Sequence, residues 1–155
     1  MRISSTVIYL ALTLLCFGTL AAEGSSSGQK RLQIGIKRRV DNCIDKSKKG
    51  DTLFVTYVGA LEDGSVFDKN EDREDAFAVT IGTGQVIKGW EQGLIGMCVG
   101  EVRKLVIPPD LAYGKYGVPP TIPPDATLTF TVELVKLVPK EDLPQQSDAH
   151  YHEHL

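Results

Sequence analysis

The sequence predicts an α+β domain in which an antiparallel sheet wraps one short helix. Two observations carry this. Within the run from Ala126 to Val138, Leu128, Phe130, Val132 and Leu134 alternate with Thr129, Thr131 and Glu133, the period of a half-buried strand. Ile87, Trp90, Leu94 and Met97 are spaced three, four and three residues apart instead, which is the stripe of a helix lying on a core.

The remaining elements follow in order. Leu32, Ile34 and Ile36 alternate in an opening strand. Thr52 to Val58 is rich in β-branched and aromatic residues between Gly50-Asp51 and Gly59, and reads as a second strand. Leu61-Glu62-Asp63-Gly64 carries an Asp-Gly turn signal. Phe77 to Ile81 and Glu101 to Ile107 are further strands. Because the strands alternate, the sheet is expected to cover something on one face only. Gly89 and Gly93 each weaken the helix by about 1 kcal/mol relative to Ala. Their small size lets the helix approach the sheet closely.

The ends read differently from this core. Arg2 followed by the uncharged, mainly apolar run Val7 to Leu20, then Thr19-Leu20-Ala21, has the layout of a secretory signal, with cleavage expected after Ala21 or Ala22. The run is shorter than the about 20 apolar residues a spanning helix needs, so no membrane insertion of the mature chain is expected. Residues 23–30, with Gly24-Ser25-Ser26-Ser27-Gly28, form a flexible lead-in. The domain is placed at residues 31–139, followed by a polar tail, 140–155. Cys16 leaves with the signal. An exported chain then most simply pairs Cys43 with Cys98, the alternative being two buried free thiols.

Several chemistries are excluded. The formal charge of −3 is mild and points to no nucleic-acid partner. Lys37-Arg38-Arg39 with Lys46, Lys48 and Lys49 reads as a solvated face. Asp68, Asn70 and Asp72 have the first spacings of a calcium loop, but Arg73 stands at its glycine position and Val79 where a bidentate Glu is needed. His150, His152 and His154 all lie in the tail, so no metal site is expected in the domain. There is no phosphate loop, no G-x-S-x-G and no H-E-x-x-H motif.

Tyr57, Phe67, Phe77, Trp90, Tyr113 and Phe130 are spread over every element, with Val86-Ile87 opening the helix. As residue types alone they fit a plain aromatic core. Their order says more. Tyr57-Val58-Gly59, Leu61 to Asp68, the block Gly82-Thr83-Gly84-Gln85-Val86-Ile87-Lys88-Gly89-Trp90-Glu91, Leu105-Val106-Ile107-Pro108, Tyr113-Gly114 and Ala126 to Phe130 together resemble the FKBP-type peptidyl-prolyl isomerases. The resemblance covers about Arg31 to Val138. It is nearest to the small secretory, endoplasmic-reticulum branch, in which Leu32-Gln33-Ile34-Gly35, the Cys43 and Cys98 pair and the signal recur.

That resemblance implies a five- to six-stranded antiparallel β half-barrel on a short helix, and an isomerase that needs no cofactor. It implies a pocket with Trp90 at its floor, and Tyr57, Phe77, Val86, Ile87 and Phe130 as walls. Phe67 and Asp68 would sit at the edge, and Tyr113 would bond the ligand through its hydroxyl. Ile122 is carried over from the flap, and Arg73 as the partner of the pocket aspartate, Asp68. Asp68, Tyr113, Trp90 and Phe130 are the residues expected to carry catalysis. Val118 stands where the cytosolic archetype has histidine and Thr121 where it has isoleucine, which should alter preference at the rim. Expected partners are proline-containing polypeptides and macrolides such as tacrolimus and rapamycin, bound by a monomer. The terminal His152-Glu153-His154-Leu155 resembles the K-D-E-L class of retention signals, with His154 departing from the usual glutamate. Residence in the lumen of the endoplasmic reticulum is expected, with secretion as the alternative. A holdase that binds prolyl segments without catalysis, and a purely structural domain, are the rival readings.

Overall fold

The computed structural model describes residues 31–143. The expected signal, the lead-in and the end of the tail lie outside the described residues. Six strands form one antiparallel sheet: β1 (Gln33–Arg38), β2 (Thr52–Ala60), β3 (Val66–Asn70), β4 (Phe77–Thr80), β5 (Val102–Ile107) and β6 (Leu128–Val138). One helix, α1 (Lys88–Gly93), packs on it. The strand order is β1-β5-β6-β2-β3, and β4 pairs with β2 as well. Strands β3 and β4 share the same edge of β2 in tandem, β4 along Thr52–Val55 and β3 along Tyr57–Ala60.

The alternation read in the sequence is seen along β6 but not along β1, whose six residues are all exposed, Ile34 and Ile36 included. Along β6, Leu128, Phe130, Val132 and Leu134 are buried while Thr129, Thr131 and Glu133 are half-buried on the other face. Leu53 and Val55 on β2, Leu105 and Ile107 on β5 and Val79 on β4 complete the concave side. The helix closes that side with Trp90, and Leu94 and Met97 follow it into the core.

Strand β3 carries no sequence signal strong enough to have been placed. Its residues Val66-Phe67-Asp68-Lys69-Asn70 are short, polar and mostly exposed. The Asp-Gly turn before it forms as expected: Leu61 N–H donates to Ser65 O (2.9 Å) and Gly64 N–H to Leu61 O (3.0 Å). Gly64 takes φ +87°, a conformation that favours glycine.

The helix is shorter than its apolar stripe. It ends at Gly93, and Gly96 then turns with φ +75°. The chain after it is held by a residue far away in sequence. Ser47, 2% exposed, accepts the Met97 N–H on its Oγ (2.8 Å) and donates that hydroxyl to Leu94 O (2.6 Å), and its backbone bonds Met97 O and Gly96 N–H. The Cys43–Cys98 disulfide, with Cα atoms 5.9 Å apart, fastens the same two segments.

The glycines of α1 work as their size suggests. A Cβ at Gly93 would stand 2.8 Å from Leu105 Cδ1, and one at Gly89 would collide with Ile107. The first residues assigned to the polar tail are tied to the domain. Lys140–Asp142 form a 3-10 turn whose Lys140 N–H donates to the carboxylate of buried Asp51 (3.0 Å).

Candidate functional site

The concave face opens into a cavity of about 420 Å³ lined by Tyr57, Phe67, Asp68, Phe77, Gln85, Val86, Ile87, Trp90, Tyr113 and Phe130. Trp90 is 4% exposed and stands at the centre of a ring of edge-on aromatics. Its centroid lies 5.2 Å from Tyr57 at 83° and 5.3 Å from Phe130 at 85°, with Phe77 at 6.3 Å and 77°. Phe67 meets Phe130 at 5.6 Å and 89°. Edge-to-face pairs of this kind contribute roughly 0.5–1.5 kcal/mol each beyond burial. The walls therefore hold their shape without a ligand. The Trp90 Nε1–H is buried and has no acceptor among the described residues.

Two backbone features build the edge beside β3. Gly59 pairs with Asp68 and Ala60 with Val66, so Phe67 is the extra residue of a β-bulge. The bulge breaks the strict alternation of the strand, and the neighbours Phe67 and Asp68 both reach the cavity. Gly59 makes the packing feasible, because a Cβ there would lie 2.7 Å from Phe130 Cε1 and 2.9 Å from Phe67 Cζ.

Asp68 does not meet Arg73. The Tyr57 hydroxyl donates to Asp68 Oδ2 at 2.9 Å. The Arg73 guanidinium instead bonds Glu133 Oε1 at 2.8 Å, an oxygen it shares with Arg38 at 2.6 Å. Glu133 alternates with the buried residues of β6, so this cluster sits on the opposite face of the sheet from the cavity. The expected Arg73–Asp68 pairing is corrected on this point. Burial first, and then the bond to Asp68, push the Tyr57 phenol up to about 12. It stays a neutral donor across the physiological range.

The third wall is the segment entering α1. Glu91, in the first turn of the helix, reaches back and accepts the N–H groups of Gly82 and of Gly84 (2.9 Å to the latter). That closes the Gly82–Gln85 turn and presents Val86 and Ile87 to the cavity. The Ile87 carbonyl accepts the N–H of Trp90 (2.9 Å), while the Ile87 N–H has no acceptor among the described residues. Gln85 lines the cavity too and accepts the Thr80 N–H on Oε1 (3.1 Å). A single polar residue in the turn between Gly84 and Val86 has no periodicity to mark it, so the sequence carries it only within the Gly82–Glu91 block.

Tyr113 reaches the cavity from the flap, between 3-10 turns at Pro109–Leu111 and Gly114–Tyr116. It is 42% exposed, and its hydroxyl has no partner among the described residues. Ile122 lies elsewhere than expected. It is 5% exposed within the core cluster, bridged to Val118, and does not line the cavity. Its backbone ties the flap shut: Val118 N–H donates to Ile122 O (2.8 Å) and Ile122 N–H to Val118 O (2.9 Å). Nine of the residues expected at the site thus converge, while Ile122 lies in the core behind it and Arg73 on the other face of the sheet.

Comparison with known proteins agrees with this geometry. Residues 43–135 match the family model described as FKBP-type peptidyl-prolyl cis-trans isomerase. The chain is 52% identical to "Peptidyl-prolyl cis-trans isomerase FKBP2" of Mus musculus, over 92% of this chain and 100% of that protein. It is 52% identical to the Homo sapiens protein of that name over 83% of this chain and 91% of the other. It is 50% identical to "FK506-binding protein 2" of Yarrowia lipolytica, over 84% and 90%. An aromatic cavity of this build, on a sheet and helix of this order, with such relatives along nearly its whole length, makes the chain a member of the FKBP-type peptidyl-prolyl cis-trans isomerases, in their FKBP2 branch.

Proposed function

We propose that the cavity binds the proline of an X-Pro segment and lowers the rotation barrier by favouring the twisted amide, and that its clients are unfolded proteins of the secretory pathway. The observation that carries the reading is the ring of edge-on aromatics around Trp90. Rotation about an amide meets a barrier of ~18–20 kcal/mol, because resonance must be given up. At the twisted geometry the nitrogen is pyramidal and the charge separation across the amide falls. The transition state is then less polar than the planar ground state, and an apolar cavity binds it better. No bond is made or broken, so the step needs neither a nucleophile nor a cofactor.

The polar groups at the rim orient the chain. The unpartnered Ile87 N–H and the Tyr113 hydroxyl are placed to donate to peptide carbonyls. Asp68 is a fixed acceptor that holds Tyr57 in place through Oδ2; amide rotation moves no proton off the substrate, so the step asks for no general base. Tacrolimus and rapamycin, which present an apolar ring and carbonyls to such a cavity, would occupy the same space, and the enzyme would act as a monomer. The signal-like segment expected at residues 1–22 and the His152-Glu153-His154-Leu155 end support work in the lumen of the endoplasmic reticulum.

A protease-coupled assay on a prolyl peptide, with the purified mature protein, tests the mechanism. Acceleration that survives a chelator and is abolished by tacrolimus is expected. Binding of the macrolide without any acceleration would favour a holdase and overturn the reading. Adding a short tag after Leu155 tests the address: the tagged protein should appear in the medium, and retention despite the tag would show that the tail is not the signal.

A further inference from the structure

A second cavity, of about 410 Å³, lies between the β1 edge and the exit from α1, with the Cys43–Cys98 disulfide in its wall. Its charged lining is one-sided. Arg39, Lys46 and Arg103 face it with a single carboxylate, Glu101. That carboxylate is already engaged: Glu101 Oε1 accepts Arg103 Nε at 2.6 Å, and Oε2 accepts the Cys98 N–H at 3.2 Å. Asp41 and Asp45, on the same loop, are exposed and do not line the cavity.

Arg103 is the informative residue. Its side chain is only 9% exposed, and its Nη1 is used twice, on Gly93 O and Ile95 O, both at 2.8 Å. Its Nη2 has no acceptor among the described residues. That nitrogen lies at the cavity wall, since a Cβ at Gly96 would stand 3.9 Å from it and Gly96 lines the cavity. A guanidinium offers its donors in a rigid fork, so fixing Nε and Nη1 also fixes where Nη2 points. The exposed Arg39 and Lys46 have no ion-pair partner among the described residues. A pre-oriented donor on a largely buried side chain, in one cavity with two cations that have no ion-pair partner among the described residues, is the arrangement that binds oxyanions.

We propose that this cavity is a binding site for a small oxyanion carrying more than one negative charge, of the phosphate or sulfate class. The anion would accept from Arg103 Nη2 and sit between Arg39 and Lys46, with Asn42 as a neutral neighbour. Because the same guanidinium holds the last carbonyls around α1, and the disulfide lines the same cavity, an anion there stabilises the exit of the helix that carries Trp90. A ligand that binds only the native state raises its stability in proportion to occupancy.

The test is a titration of the mature protein with sodium phosphate, sodium sulfate and, at matched ionic strength, sodium chloride. Heteronuclear NMR should show saturable shifts at the Gly96 and Cys98 amides and the Arg103 guanidinium with phosphate or sulfate, along with a raised Tm. Both responses should be lost in the exposed double variant Arg39→Ser, Lys46→Ser. Arg103→Lys, which removes Nη2, should lose them as well, but it also strands Glu101 and is unsuited to stand alone. Shifts that chloride reproduces, or a double variant that titrates like the wild type, would overturn the proposal.

Discussion

The Tyr57 hydroxyl donates to Asp68 Oδ2 at 2.9 Å, from β2 to the residue beside the bulge of β3, and so joins the cavity wall to its polar edge. Burial of the ring, and then the bond, raise the phenol to about 12 from its ordinary 10.0. The native state thus binds the phenolic proton more tightly than the unfolded chain does. Its contribution to stability is complete below pH 10 and is lost as pH rises through about 12. Ultraviolet difference titration of wild type against Tyr57→Phe should show a phenolate midpoint near 12. A midpoint at the ordinary value would mean that the bond does not hold in solution.

A cavity that acts by apolar shape depends most on its walls. Phe130→Ala and Trp90→Ala should each lower kcat/KM by about tenfold or more, the equivalent of roughly 1.4 kcal/mol of transition-state stabilisation. Macrolide affinity should fall with it. Each should also cost about 3–5 kcal/mol of stability, so activity is compared on folded protein. Asp68→Ala should reduce activity less. Complete loss of activity in folded Asp68→Ala would bring acid–base chemistry back into consideration.

Arg73 serves the outer face of the sheet, where Glu133 keeps Arg38 after Arg73 is removed. The Arg73 side chain is 59% exposed, and surface pairs contribute about 0–1 kcal/mol. Arg73→Ala should therefore leave kcat/KM within about a factor of two, which is below 1 kcal/mol of barrier. A large loss with normal stability would show that Arg73 reaches Asp68 when substrate is bound.

Gly93→Ala should destabilise the protein although alanine is the better helix former. The gain in propensity is about 1 kcal/mol. Against it, the new methyl would stand 2.8 Å from two carbons of fully buried Leu105, and overpacking of this kind costs about 1–3 kcal/mol. Urea unfolding should show a lower midpoint with unchanged slope, and a higher midpoint would mean that the sheet yields.

The disulfide closes a loop with a sequence separation of 55 residues. In the chain-entropy model that is worth about 4 kcal/mol. Cys43→Ser with Cys98→Ser should lower stability by up to that amount. Mass spectrometry of native protein should find both thiols blocked to alkylation until reductant is added.

Composition and spacing by themselves determined the fold class, the exposed edge strand β1 and, among the elements that pack on the core, the strands β2, β4, β5 and β6 and the place of the helix. Those on the core bury one face, and burial on one face writes a period into the chain. The resemblance carried by the ordered motif blocks, rather than any period, pointed to the family and to nine of the cavity's lining residues. What lacked a period was not legible. Strand β3 is a polar edge whose pairing with β2 comes from its neighbour. The six-residue extent of α1 is decided where Gly96 turns and Ser47, far back in the chain, takes over the backbone bonds. Only the tertiary structure decided that Phe67 bulges beside Asp68, that Arg73 faces Glu133, that Ile122 belongs to the core, and that Gln85 and Arg103 each look into a cavity. The reason is the same in each case. A side chain's face follows from local backbone period, but its partner depends on which distant segment the packed sheet brings within about 3 Å of its donor or acceptor.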